Sequence, residues 1–304
     1  MTIKEKQIKL KTGLKVKIND KTLWNRYLSV LGIISTVVSF ISFFVTANDI
    51  KTIKTWVLAS IFLAFIAIVF LIMWYCANRR YHANLRINNT VVNVVEGDIF
   101  SQLQKTPKDR KGEISVIGAN EYYDVIVDDR IVSKGSLHGQ YIEKITTAGK
   151  LGTLNKTIAT DSILNKPGNK KTDPQRKRGK KIRYELGSVV EFEAYILAAF
   201  TKTNEDNEAW LSAEEYTAFW MRFWTNIDTI YAGRTINIPL MGAGITRFKN
   251  GKPTKQELLE AMLWSLKISG FHNTYADKKI NFVIYPSDVA EIDFYHIQHN
   301  PSFK

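Results

Sequence analysis

Hydrophobic positions fall into two regimes along the chain. Residues 27–46, YLSVLGIISTVVSFISFFVT, and 56–76, WVLASIFLAFIAIVFLIMWYC, run without a charge. From residue 90 onward, short β-branched runs alternate with stretches in which apolar residues return every three or four positions. At about 1.5 Å of rise per residue, each uncharged run makes roughly 30 Å of helix, the thickness of a bilayer's hydrocarbon core. Two transmembrane helices are predicted. The first does not read as a cleaved signal peptide, because it follows a long polar arm, lacks an A-x-A-like site and is soon followed by a second span.

Charge orients these spans. Lys4, Lys6, Lys9, Lys11, Lys15, Lys17, Lys21 and Arg26 precede the first and Arg79, Arg80 and Arg86 follow the second, whereas only Lys51 and Lys54 lie between. The positive-inside rule then places both termini, and all that follows the hairpin, in the cytoplasm. Trp24, Tyr27, Trp56, Trp74 and Tyr75 sit near the span ends as interfacial anchors. Along the first span Gly32, Ser35, Ser39, Ser42 and Thr46 share one helix face, a seam of small residues of the kind over which helices approach in lipid.

In the second regime "TVVNVVEGD", "ISVIGAN", "RTINIPLMG" and "KINFVIYPSD" read as strands ending in small or polar residues. Between them, Ser212 with Glu215 and Thr254 with Glu257 fit the capping box that starts a helix, and Gly270 fits a left-handed stop. Tyr216, Phe219, Trp220, Phe223, Ile227 and Ile230 recur at helical spacing, which predicts a core face. Buried strands interleaved with helices imply an α/β layered domain with ligands at the carboxyl ends of the strands. The expected division is a basic arm at 1–26, a two-span hairpin at 27–80 and an α/β domain at 88–304.

Composition adjusts this picture in two places. The 304 residues carry a formal net charge of +13, which raises the question of nucleic acid. The basic groups concentrate beside the membrane and in residues 165–183, NKPGNKKTDPQRKRGKKIR, and the rest of the α/β domain is net acidic. Lipid headgroups account for the first cluster, a solvated loop for the second, and no nucleic-acid partner is expected. The single cysteine, Cys76, excludes an internal disulfide framework and agrees with a reducing compartment. His296 and His299 share a helix spacing but lack an evident third ligand, so no metal site is expected.

"VVEGDIF", "SVIGAN" and "NIPLMGAGITRF", in that order, resemble the macro domain, a module that binds ADP-ribose. The resemblance covers roughly residues 88–300 and implies a three-layer α/β/α fold. It implies that Asp98 accepts the exocyclic amine of adenine beside the Ile99 backbone, and that Asn120 faces the distal ribose. Gly242, Ala243, Gly244, Ile245, Thr246 and Arg247 would form a loop whose backbone N–H groups cradle a diphosphate, a chemistry that glycine-flanked turns suit. A second phosphate loop would be "SKGSLHG", residues 133–139, contributing Gly135, Ser136, His138 and Gly139. Read from the residues alone, Asp98 equally fits a helix cap and Asn120 a turn.

That second loop departs from the pattern of macro domains that hydrolyse ADP-ribosyl bonds, which carry a triple-glycine run and a following acidic residue there. The Gly-rich, paired-glutamate signature of poly-ADP-ribose glycohydrolases is absent too. No catalytic residue is therefore assigned. His138 fits a general base, a contact to an extra group on the ligand, or a structural role. A two-span hairpin followed by a macro-like domain is similar to the membrane effectors of type II Thoeris antiphage defence. That resemblance implies a bacterial membrane protein with no cofactor. Its ligand would be an ADP-ribose derivative such as histidine-ADP-ribose, made by a TIR-domain partner. Binding would drive homo-oligomerisation and damage to the bilayer. The alternative is a membrane-tethered ADP-ribosyl hydrolase.

Overall fold

The computed structural model describes residues 15–42, 55–101, 112–271 and 279–303. Lys4, Lys6, Lys9, Lys11, Thr46, Lys51 and Lys54, named above, lie outside them. The chain divides into two units, one of Met1–Ala83 with Asp293–Asn300 and one of Asn84–Ile292 with Pro301–Lys304.

The first unit is a helical hairpin. Helices α1 (Lys21–Ser42) and α2 (Thr55–Asn78) are both long and apolar enough to cross a membrane. They pack at one end through buried Leu23 and Ala77 with Phe70, Met73 and Trp74 beside them. Trp24 and Tyr27 enclose the Phe70 ring, at 4.8 and 5.2 Å between centroids. Their polar ends are bonded to backbone, Trp24 Nε1 to the Ile18 carbonyl and Tyr27 Oη to that of Ile66, as a ring needs when half of it leaves water. The late helix α7 (Phe294–His299) joins this unit, with Tyr295 buried among Val16, Leu23 and Ala77. His299 meets the Arg26 guanidinium and His296 is bonded to Asn300. At about 100° per residue, Gly32 and Ser39 lie roughly 120–180° around the helix from Leu23 and Tyr27, and Ser35 roughly 80–120°; all three are exposed. The small-residue seam is thus not the face that joins the two spans within a chain, and the Ser35 hydroxyl closes back on the Gly32 carbonyl.

The second unit is a mixed sheet covered by helices on both faces. The four strands read from sequence are present as β2 (Thr90–Glu96), β3 (Glu113–Asn120), β9 (Thr235–Pro239) and β11 (Lys279–Ile284). Added to them are β1 (His82–Ile87), β6 (Val189–Phe192), β7 (Tyr195–Thr203), β8 (Ala209–Leu211) and β10 (Arg247–Phe248). The order is β1-β2-β11-β9-β3-β7-β8-β10, with β6 against β7. Pairings from β2 through β11, β9 and β3 to β7 are parallel, so their carboxyl ends share one edge. A row of asparagines fixes the register of three strands: Asn93 donates to Asn281, which donates to Asn237. Asparagine is depleted in strands but supplies both a donor and an acceptor when stacked this way.

Side chains alternate across the sheet. Ile117, Ala119, Leu197 and Ala199 pack with α3 (Leu137–Thr147) and α4 (Leu151–Thr160). Phe200, turned to the other face, stacks edge-on against Phe219 of α5 (Ala213–Ile230) at 4.9 Å. Helix α5 starts at the Ser212–Glu215 capping box, and α6 (Lys255–Ser269) runs from the Thr254–Glu257 box to Gly270 at φ 71°. The aromatic stripe of α5 is core, with Tyr216, Phe219, Trp220, Phe223 and Ile227 all buried. The basic segment 165–183 is largely exposed, as expected of a solvated segment, but it is not structureless. Strands β4 (Lys170–Thr172) and β5 (Ile182–Tyr184) pair within it, and its tip is held by a buried ion pair.

Candidate functional site

The shared carboxyl edge opens into two adjoining chambers. The first, about 530 Å³, is lined by Asp98, Ile99, Gly135, Ser136 and His138, by residues 239–246 and by Tyr285. The second, about 780 Å³, adds Asn120, residues 129–133, Lys177, Arg178, residues 205–209 and Arg247. Gly118, Ser136, His138, Phe200, Ile245 and Thr246 line both. A bulge carries Phe200 to this junction: Ala119 pairs with Ala199 but Asn120 pairs with Thr201, and the extra residue re-aims its neighbours.

Residues 242–246 turn back where β9 ends. Gly242 sits at φ 88°, a left-handed conformation natural to glycine, and the Tyr216 hydroxyl donates to the preceding Met241 carbonyl. Lys252 Nζ donates to the carbonyls of Ala243 and Gly244. In a trans peptide the N–H opposes its C=O, so the N–H groups of Gly244 and Ile245 turn away from Lys252. Among the described residues the N–H groups of Gly242, Gly244, Ile245 and Thr246 donate to no carbonyl or side chain. A run of unpartnered amides at a cavity wall is an anion-binding nest.

Opposite lies the start of α3. Ser136 caps it, accepting from the Gly139 N–H at 3.0 Å and donating to the Ser133 carbonyl at 2.7 Å, which leaves the N–H groups of Leu137 and His138 for the cavity. Gly139 does not line either chamber; a Cβ there would overlap the Ser133 carbonyl, so its work is close packing of the loop. Asp98 is half-buried, and its Oδ1 accepts the Phe100 N–H at 2.9 Å while Oδ2 remains for a ligand. The cap and the contact proposed for this residue are therefore compatible. The Ile99 side chain is core, leaving its backbone at the wall.

Asn120 lines the second chamber but is committed internally. Its Nδ2 donates to Asp124 Oδ2 at 2.9 Å, and its Oδ1 accepts from the N–H groups of Tyr122 and Asp124. Asp124 is the hub that sequence reading missed. Its carboxylate, 1% exposed, pairs with Arg176 at 2.7 Å and accepts the Lys180 N–H at 2.7 Å. Arg176 also bonds Asn207 Oδ1 and the Lys180 carbonyl and lies over the Tyr122 ring at 3.6 Å. Burial lowers the Lys180 amine to about 8, against the attraction of Asp124. Arg247 pairs with Glu208 at 3.0 Å, both half-exposed. Burial lowers the His138 imidazole to about 4, against the opposing effect of Asp124, so the ring is neutral at pH 7.

The arrangement suits an elongated ligand with an anionic middle. Asp98 and the exposed Tyr285 ring stand at one end, two sets of backbone donors in the middle, and a chamber of mixed charge at the other. Tyr285, at the end of the "NFVIY" strand, had a signal in its position at a carboxyl end. Among the described residues, no group of three or more His, Cys, Asp or Glu side chains is placed to hold a metal ion.

Comparison with known proteins agrees with this architecture. A family profile described as "Thoeris protein ThsA, Macro domain" matches residues 92–285. The chain is 32% identical over 282 residues to the Thoeris protein ThsA of Bacillus amyloliquefaciens (strain Y2), covering 92% of this chain and 90% of that protein.

Proposed function

The chain belongs to the ThsA family of Thoeris defence proteins and carries its macro domain, and from that premise we propose that it is a ligand sensor whose target is the membrane. The macro domain binds an ADP-ribose derivative lengthwise through the two chambers. Adenine lies by Asp98, the diphosphate between residues 242–246 and the start of α3, and the distal ribose with its substituent at the second chamber. The observation that carries this reading is the run of unpartnered N–H groups at Gly242, Gly244, Ile245 and Thr246, which fits a diphosphate and serves nothing else in the fold.

The ligand is a diffusible product of a TIR-domain partner, histidine-ADP-ribose being the candidate, and the protein acts as a receptor rather than a catalyst. Binding gathers macro domains into a homo-oligomer in which the hairpins breach the cytoplasmic membrane and the infected cell dies. The route from ligand to bilayer is covalent: the chain passes from the macro unit into the hairpin unit at residue 293 and returns at residue 301, so α7 belongs to the hairpin unit while both its flanks belong to the macro unit.

The test uses the full chain. In detergent, calorimetry with ADP-ribose should give saturable heat, and ligand at 100 times its dissociation constant should raise stability by about 2.7 kcal/mol. In liposomes, histidine-ADP-ribose should release a trapped dye. Absence of binding to ADP-ribose and to its histidine conjugate would overturn the sensor reading, and binding without leakage would overturn the membrane step alone.

A further inference from the structure

Three aromatic side chains with polar ends lie where the two spans meet, and each is bonded. Trp24 Nε1 donates to the Ile18 carbonyl, Tyr27 Oη to that of Ile66 and Trp74 Nε1 to that of Val16. Tyr295 of α7 is the exception. It is 5% exposed and shares a buried cluster with Val16, Leu23 and Ala77, yet its hydroxyl, buried as well, has no partner among the described residues. A buried hydroxyl without a partner has given up water for nothing, so the seat of α7 is weaker than its apolar contacts alone would make it.

That seat is also where the hairpin is held. Among the described residues only Leu23 and Tyr27 are buried in α1 and only Ala77 in α2, so the spans are fixed to each other at one end and leave most of their length exposed. The Val16 N–H donates to Asn78 Oδ1 at 2.9 Å, which ties the approach to α1 to the end of α2. One cluster thus joins that approach, both spans and α7. Lys15 and Arg80 place their cations over the rings of Phe294 and Tyr295, at 5.5 and 5.9 Å from the centroids, and fasten α7 further. In lipid no hydrophobic force draws the exposed lengths together, so packing at this end decides how the spans are set.

We propose that α7 is an autoinhibitory clasp: seated, Tyr295 holds the hairpin in this arrangement, and its withdrawal frees the spans to assemble with those of other copies. The inference rests on the reading above that ligand binding leads to damage of the bilayer, and it supplies the step between them. Both flanks of α7 belong to the macro unit, so a shift of those flanks pulls on the seat. The unpartnered hydroxyl regains water on leaving, which lowers the cost of withdrawal.

The experiment is dye release from liposomes of phosphatidylethanolamine and phosphatidylglycerol that hold the full chain, titrated with histidine-ADP-ribose, for wild type, Tyr295→Phe and Tyr295→Ala. Phenylalanine keeps the ring and removes the buried hydroxyl, so it should tighten the clasp and raise the half-maximal ligand concentration at least about fivefold. Alanine removes the ring and should give release with no ligand added. Calorimetry with ADP-ribose in detergent checks that the macro domain of each variant is folded. A threshold for Tyr295→Phe at or below that of wild type overturns the inference. So does a Tyr295→Ala variant that binds ADP-ribose yet stays silent without ligand; should that variant fail to fold, Tyr295→Phe alone decides. Wild type that binds but never releases dye overturns the membrane step and the inference together. If wild type binds neither compound, the ligand reading falls and the inference with it.

Discussion

The two chambers meet at His138 and Phe200 yet are built by different means. The first is made of backbone: parallel strands deliver residues 97–99, 239–246 and 285 to one edge, and its wall presents unpartnered amides. The second is made of side chains on loops, closed by a basic segment that Asp124 and Arg176 pin across 52 residues of sequence. Electrostatics should therefore dominate the failure of the second chamber, and steric and conformational effects that of the first.

Breaking the hub should have the largest effect. Asp124→Ala leaves the Arg176 guanidinium, 7% exposed, without its counter-charge and removes the anchor of Asn120. Losing one partner of a buried pair costs about 3–5 kcal/mol, to be read as a fall in the denaturant midpoint. The double variant Asp124→Ala with Arg176→Met should recover part of that loss, since no unpaired charge remains. A single-variant cost below about 1 kcal/mol would show that the pair is exchanged with solvent and that the basic segment is held by its β4–β5 pairing alone.

In the first chamber Asp98→Ala should act on binding more than on folding. A hydrogen bond to a charged group contributes about 1.5–3 kcal/mol, so affinity for ADP-ribose should fall around tenfold to a hundredfold. The lost contact to the Phe100 N–H should cost stability about 1 kcal/mol. Unchanged affinity in a folded variant would remove Asp98 from the ligand and leave it as a turn residue.

The same contrast governs what the sequence made legible. Strand ends announce themselves through β-branched runs stopping at Gly-Asp, Gly-Ala-Asn and Gly-Ala-Gly, and the capping boxes at Ser212 and Thr254 mark their helices with local hydrogen bonds. The residues at these strand ends are ones the structure brings to the shared carboxyl edge, including the whole of 242–246. Asp124, Arg176 and Asn207 carried no comparable signal, because an ion pair across a long separation leaves no periodicity, and a run of lysines and arginines reads as solvated unless its acidic partner is known. Strand β7, "YILAAFTKT", escaped notice because both of its faces are buried and its apolar run lacks the alternation that identifies a half-buried strand. The asparagine row was hidden by its own propensity. Asn120 was found, but its commitment to Asp124 was not, since one asparagine serves a turn and a ligand with the same atoms.

Two glycines in one loop separate folding from binding. Gly242, at φ 88° with the Phe248 ring 3.2 Å from where its Cβ would lie, should lose about 1–2 kcal/mol of stability on replacement by alanine. Gly244 has no positive φ, and a side chain there meets nothing within 4 Å. The conformational cost of a side chain in this loop thus falls on Gly242. Gly244→Val should leave unfolding unchanged while weakening ADP-ribose, because its side chain occupies space that the diphosphate needs. Normal binding by Gly244→Val would mean that the ligand does not approach this stretch of backbone.

The smallest effect should come from Arg247, the only charged side chain in the 242–247 loop. A guanidinium beside a nest is an attractive diphosphate ligand on charge alone. Yet Arg247 lines the second chamber rather than the first, and it is paired with Glu208 while half-exposed. Exposed pairs contribute about 0.2–1 kcal/mol, so Arg247→Ala should change stability by no more than that and ADP-ribose affinity by less than about fivefold. Salt provides the sharper measurement. If the amides and not the guanidinium hold the diphosphate, affinity should depend on ionic strength equally in wild type and variant, because removing Arg247 removes no ligand contact. A markedly flatter salt dependence in Arg247→Ala would place the guanidinium on the diphosphate and would make the boundary between the chambers electrostatic on both sides.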